Sequence, residues 1–189
     1  MRYCFFLGLF FWGLAVSAQD GSWSCYGQNA GGSRYSALRQ INSRNVAQLK
    51  VAWTCRTGEL AKYEGTYALE KAAFETTPIL IGRTLYLSTP SDRVIAVDAA
   101  TGQQRWVYDP NVNLHADHSE ISNRGVAYWS GGRVFIGTID GRLIALDAAT
   151  GRPAASFGKD GIVDLRAGVG EDVAETSPPV VTGDLVIVG

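Results

Sequence analysis

The sequence predicts an all-β protein of the β-propeller class, and three observations carry that prediction. The first is a phrase, Ala96-Val97-Asp98-Ala99-Ala100-Thr101-Gly102, that returns as Ala145-Leu146-Asp147-Ala148-Ala149-Thr150-Gly151, 49 residues on. The second is a series of turn glycines, Gly82, Gly132 and Gly183, spaced by 50 and 51 residues. The third is composition: 22 glycines among 189 residues suit a chain rich in tight turns. A period near fifty means stacked supersecondary units, and four short strands per period match a propeller blade. A β-helix has a much shorter period, and a helical solenoid would show a 3.6-residue periodicity that this chain lacks. A β-sandwich with coincidental turn similarity is the competing architecture, and the length of the repeated phrase weighs against it.

Taken in order, the first eighteen residues read as a signal peptide. Arg2 supplies positive charge, Phe5 to Val16 is an apolar run of h-region length, and Val16-Ser17-Ala18 is a small-residue cleavage site. The run is shorter than the ~20 residues a membrane span needs; an uncleaved N-terminal anchor is the alternative. No later segment is long and apolar enough to span. The body, residues 19–189, is therefore expected to be exported to the periplasm. Thr77 to Leu87 then reads as strand, Gly82 turn and strand; Pro178 to Val188 repeats the whole of it, and Gly131 to Ile136 its second half. Val94-Ile95-Ala96-Val97 and Leu143-Ile144-Ala145-Leu146 are short, apolar and partly β-branched, so they read as buried strands. Each runs into Asp-Ala-Ala-Thr-Gly, where the aspartate accepts backbone N–H groups and the glycine supplies positive φ. The first of these turns leads to a strand closing with Trp106. About two blades and the start of a third are present, whereas a closed propeller needs at least about four. The chain is expected to be the N-terminal piece of a longer protein.

Composition excludes several partners. Lys and Arg number 17 against 18 Asp and Glu, for a net charge of −1, and the basic residues are scattered. Nothing suggests nucleic-acid binding. There is no Gly-x-Gly-x-x-Gly on a βαβ unit and no P-loop, so a nicotinamide or nucleotide enzyme is not indicated. Cys25 and Cys55 could form one disulfide in an oxidising compartment, or remain isolated thiols. No Cys-x-x-Cys-His is present, hence no c-type haem site. His115 and His118 could bind a transition metal, but their polar neighbours favour an exposed loop.

Four stretches resemble the pyrroloquinoline-quinone (PQQ) dependent dehydrogenases, the quinoprotein alcohol and sugar dehydrogenases. They are Arg34-Tyr35-Ser36-Ala37-Leu38-Arg39-Gln40-Ile41-Asn42-Ser43-Arg44-Asn45-Val46 with Leu49 and Ala52-Trp53; Phe74-Glu75-Thr76-Thr77-Pro78; Asn123-Arg124-Gly125-Val126-Ala127-Tyr128-Trp129; and Glu175-Thr176-Ser177-Pro178-Pro179. The Ala-x-Asp-x-x-Thr-Gly-x-x-x-Trp phrase resembles the family's tryptophan-docking motif, whose indole packs on the neighbouring blade. The resemblance implies an eight-bladed propeller with PQQ near its axis and a calcium or lanthanide ion on the quinone. It implies that Glu75 hydrogen-bonds PQQ, that Arg124 pairs with a PQQ carboxylate, and that the Thr176 hydroxyl reaches a PQQ carboxylate too. An arginine fork suits that task because it matches a planar carboxylate bidentately. The implied reaction is oxidation of a sugar or alcohol hydroxyl, with electrons passed to a quinone or cytochrome acceptor. The base and the ion ligands are expected beyond residue 189.

Two departures qualify the resemblance. Methanol- and ethanol-type members carry an adjacent Cys-Cys pair where this chain has His118 and Ser119. The pattern is nearer the sugar-oxidising branch, resembling membrane-bound glucose dehydrogenase, which lacks that disulfide ring. Ala155 stands where the second blade's docking tryptophan is expected, so that contact is expected to be missing. Two other readings are a quinohaemoprotein alcohol dehydrogenase and a non-enzymatic PQQ-like propeller scaffold of outer-membrane assembly.

Overall fold

The computed structural model describes residues 21–170 and 172–189; the signal-peptide reading of residues 1–18 lies outside them. From residue 21 to residue 71 the backbone is largely irregular, with 3-10 turns at Val46–Gln48 and Glu59–Tyr63 and one α-turn, α1 (Ala68–Lys71). A two-residue strand, β1 (Ala72–Ala73), follows. The first blade is β2 (Ile79–Ile81), β3 (Thr84–Ser88), β4 (Val94–Asp98) and β5 (Gln104–Tyr108), an antiparallel meander in that order. Next comes β6 (Ile121–Ser122), which pairs with β1 in parallel. The second blade is β7 (Ala127–Trp129), β8 (Arg133–Gly137), β9 (Arg142–Asp147) and β10 (Ile162–Asp164). A hairpin, β11 (Val180–Thr182) and β12 (Leu185–Ile187), begins a third unit. The two apolar repeats are thus strands of separate sheets, as the fifty-residue period requires.

Both faces of each blade are covered, which is why β4 and β9 read as continuous apolar runs rather than alternating ones. Ile79, Tyr86, Val94 and Ala96 of the first sheet form one core cluster with Val126, Val134, Ile136, Ile144 and Leu146 of the second. The repeated turns dock these sheets. Asp98 Oδ1 accepts from the N–H groups of Ala100 and Thr101, and Gly102 closes the turn at φ 70°. Asp147 caps Thr150 in the same way, with Gly151 at φ 71°. A Cβ on Gly102 would lie 2.5 Å from the Trp53 ring, and one on Gly151 would lie 2.5 Å from the Trp106 ring. The indoles donate across to the turn carbonyls: Trp53 Nε1 to Ala99 O at 3.1 Å, Trp106 Nε1 to Ala148 O at 3.0 Å. Trp53, part of the opening motif in sequence, is therefore a docking tryptophan in structure.

The second blade docks differently. Ala155 is exposed, and no indole stands there. The outer strand leaves the sheet after Pro153 and Ala154, which still bond to β9, and returns to β9 as β10. The excursion inserts Phe157 edge-on against Phe135, ring centroids 5.3 Å apart, in a cluster that includes Val163, Val181 and Val186. Trp129, from the other end of the blade, donates its indole N–H to Gly183 O at 3.1 Å. Phe157 and Trp129 are thus the aromatic contacts between the second blade and the β11–β12 hairpin among the described residues. Cys25 and Cys55 are free thiols, both half-buried.

Candidate cofactor site

Parallel pairing of β1 with β6 sets the site. Its register, Ala72 with Ile121 and Ala73 with Ser122, has the 49-residue offset of the blade repeat. Continued beyond the strands, that offset brings Glu75 opposite Arg124. The two side chains meet, Arg124 Nη2 to Glu75 Oε2 at 2.9 Å. Arg124 Nη1 donates to Thr176 Oγ1 at 2.5 Å, so the third predicted residue joins them from the next blade. Glu120 Oε1 lies 3.5 Å from the same Nη2. Backbone bonds stitch the ring beneath: Thr77 N donates to Arg124 O at 3.0 Å, and Arg124 N to Thr176 O at 2.8 Å. Residues 75, 124 and 176 are far apart in sequence and adjacent in space because blade rotation carries equivalent strand entries to one radius.

The Arg124 side chain is 34 % exposed and that of Glu75 41 %, so the cluster opens to solvent on one side while anchored on the other. A planar acid could approach that side. Glu120 was not singled out from the sequence, and its only signal is its i, i+4 spacing from Arg124. Beneath the cluster lies a buried network that sequence reasoning missed entirely. Asn123 Nδ2 donates to Asp92 Oδ1 at 2.8 Å and to Gly137 O at 3.0 Å, while its Oδ1 accepts from Gly125 N at 3.1 Å. Ile139 N donates to Asp92 Oδ2 at 2.8 Å. Burial pushes the Asp92 carboxyl well above the ordinary carboxylate range, against the pull of those N–H donors. Burial also raises Glu175, the neighbour of Thr176, whose Cβ packs where Gly137 leaves room.

The donor set fits a carboxylate-bearing planar cofactor. Arg124 offers a cationic fork, Thr176 a hydroxyl, and Glu75 an acceptor, all on the solvent-reaching face. Two carboxylates face one guanidinium, so the cluster is not a plain anion trap; a bound acid competes with Glu75 and Glu120 for Arg124. His118 is held by Asn113, with Nε2 2.9 Å from its carbonyl oxygen, and His115 is exposed. Among the described residues no group of three or more His, Cys, Asp or Glu side chains is disposed to hold a metal ion.

Known proteins share this arrangement of sheets. The family described as "PQQ: Glucose/ethanol/alcohol dehydrogenase, beta-propeller domain" matches residues 23–189. The quinoprotein glucose dehydrogenase of Escherichia coli is 41 % identical over 109 residues, covering 58 % of this chain and 13 % of its own length. Quinoprotein glucose dehydrogenase A of Acinetobacter calcoaceticus is 33 % identical over 194 residues, covering 89 % of this chain and 24 % of its own. The solved quinohemoprotein alcohol dehydrogenase of Comamonas testosteroni superposes with a TM-score of 0.70 at 34 % identity, over 93 % of this chain and 24 % of that one. The chain thus spans about a quarter of these relatives or less. With a matching blade repeat, a matching fold and a family match across nearly all of the described residues, this chain belongs to the PQQ-dependent quinoprotein dehydrogenase family.

Proposed function

We propose that this chain is the part of an exported PQQ-dependent oxidoreductase that grips the cofactor's acidic edge, the whole enzyme oxidising a sugar or alcohol hydroxyl. One observation carries the reading: Glu75, Arg124 and Thr176, drawn from three successive blades, touch one another at the strand entries. Arg124 holds a cofactor carboxylate through its planar fork. Thr176 Oγ1 donates to a carboxylate oxygen, and Glu75 accepts a hydrogen bond from the cofactor. PQQ, when bound, would supply the two-electron acceptor, and a calcium or lanthanide ion held by the rest of the enzyme would supply Lewis-acid chemistry there. The base that takes the hydroxyl proton and the ion ligands belong to the remainder of the enzyme. Electrons leave to a quinone or a cytochrome. Export rests on the sequence of residues 1–18, and N-terminal sequencing of the mature protein is expected to start at Gln19. A start at Met1 or Arg2 would show that the leader is retained.

The test of the site is PQQ titration of the apo form of the whole enzyme. Truncating one partner of a buried charge pair typically costs about 2–5 kcal/mol. Arg124→Ala is therefore expected to weaken PQQ binding by about 30-fold or more, with the fold retained by circular dichroism. Unchanged affinity in a folded Arg124→Ala protein would make Arg124 an ordinary surface residue.

A further inference from the structure

The turn joining β3 to β4 and the turn joining β8 to β9 are two copies of one device. In both, a threonine opens and an arginine closes: Thr89-Pro90-Ser91-Asp92-Arg93 and Thr138-Ile139-Asp140-Gly141-Arg142. The hydrogen bonds correspond. Thr89 N donates to Arg93 O and Thr138 N to Arg142 O, both at 2.9 Å; Asp92 N donates to Thr89 O at 2.9 Å and Gly141 N to Thr138 O at 3.0 Å. Arg93 N and Arg142 N each donate to the opening threonine's hydroxyl. The fourth position is left-handed in both, at φ 61° for Asp92 and φ 77° for Gly141. Glycine is the residue that conformation favours, and the second blade uses it. The first blade uses an aspartate that is 0 % exposed. Left-handed backbone and a buried carboxylate are both costly, and the turn itself needs neither an aspartate nor its charge.

What the carboxylate does lies in the next blade. One oxygen takes the Asn123 amide and the other the backbone N–H of Ile139, inside the sister turn. Neither bond closes its own turn. Asn123 is then fixed on every polar atom of its side chain, through Asp92, Gly137 O and Gly125 N, and Ser88 Oγ donates to the Asn123 backbone carbonyl at 3.3 Å. Arg124 sits between Asn123 and Gly125, so both of its peptide neighbours are clamped by this one amide. Gly125 itself stands at φ 142°, where a Cβ would come 3.0 Å from Thr77 O. From this arrangement we infer that Asp92 is a positioning residue for Arg124: acting through Asn123, it spans two blades and fixes the direction in which the guanidinium is presented to the cofactor.

The inference rests on the cofactor reading above, and its test separates the two. Asp92→Gly copies the second blade's own solution, so the turn is expected to form and the protein to fold, while the carboxylate is gone. PQQ affinity of the apo form of the whole enzyme is measured for four proteins: the parent, Asp92→Gly, Arg124→Ala and the double variant. Asp92→Gly is expected to weaken PQQ binding about tenfold in the parent and to change it less than about twofold when Arg124 is already alanine, because coupled residues are non-additive. Asp92→Asn, which keeps the side-chain shape and one acceptor, is expected to fall between parent and Asp92→Gly, and it serves if the glycine variant does not fold. Equal losses in both backgrounds would reduce Asp92 to a structural residue, and no loss in the parent would remove any role; either overturns the inference. If Arg124→Ala alone leaves the affinity unchanged, the cofactor assignment fails first and this inference with it.

Discussion

Arg124 is held more completely than its exposure suggests. Its backbone N–H and carbonyl both bond to neighbouring blades, and its guanidinium spans Thr176 and Glu75. Those two roles differ in kind. The Glu75 ion pair is part-exposed on both sides, so in the absence of cofactor it contributes only about 0–1 kcal/mol; Glu75→Gln is expected to lower stability by no more than that in chemical denaturation. Arg124→Lys keeps the charge but loses the fork, and PQQ affinity is expected to lie between the parent and Arg124→Ala. A separate residue-level effect concerns acid stability. The Arg105 guanidinium, with N–H groups of its own turn, holds the Asp98 carboxyl down to about 2 from an ordinary 3.8. The folded state therefore binds that proton less readily than the unfolded chain. The stabilisation is fully present above about 3.8 and is lost as pH falls toward about 2. Asp98→Asn is expected to show a shallower loss of stability between those values. An unaltered acid limb would mean that Arg105 and Asp98 do not interact in solution.

One acceptor of the second blade is shared by two side chains of the first. Ala148 O takes both the Tyr86 hydroxyl and the Trp106 indole N–H, each at 3.0 Å. Removing one donor leaves the buried carbonyl partnered, so Trp106→Phe should cost little more than a hydrogen bond, about 0.5–1.5 kcal/mol, plus packing. Tyr86→Phe should behave alike. Together they strand the acceptor, and the double variant is expected to lose about 1 kcal/mol or more beyond the sum of the singles. Strict additivity in urea unfolding would argue that one of the two bonds is absent. On the second blade, Phe157 packs edge-on against Phe135 in a cluster that includes Val181 and Val186 of the next hairpin. Phe157→Ala is expected to destabilise by about 2 kcal/mol or more, given its partly buried ring, whereas Ala155→Gly at an exposed turn should be nearly silent. The departure at Ala155 was legible in the repeat, but the Phe157 contact was not. Phe157 reaches that cluster because the chain leaves the sheet after Ala154, and that excursion has no periodic signature.

At the scale of the whole molecule, the repeat made the architecture legible. A fifty-residue period fixes which strands share a sheet and which turns face the neighbouring blade, and those strands and turns lie where the period puts them. Glu75, Arg124 and Thr176 were legible only through their motifs, since each alone is a part-exposed polar residue near a strand entry. The Asp92–Asn123 network was not legible at all. Its bonds join residues 31 and 47 positions apart, and an aspartate in a loop between strands looks like any turn residue until the blades are stacked. Whether the three converging side chains grip PQQ is read from a crystal structure of the whole enzyme with the cofactor bound. A PQQ carboxylate oxygen is expected within about 3 Å of the Arg124 guanidinium nitrogens, with Thr176 Oγ1 and Glu75 also in contact with the cofactor. PQQ seated elsewhere, with Arg124 still paired only to Glu75 and Thr176, would contradict the assignment.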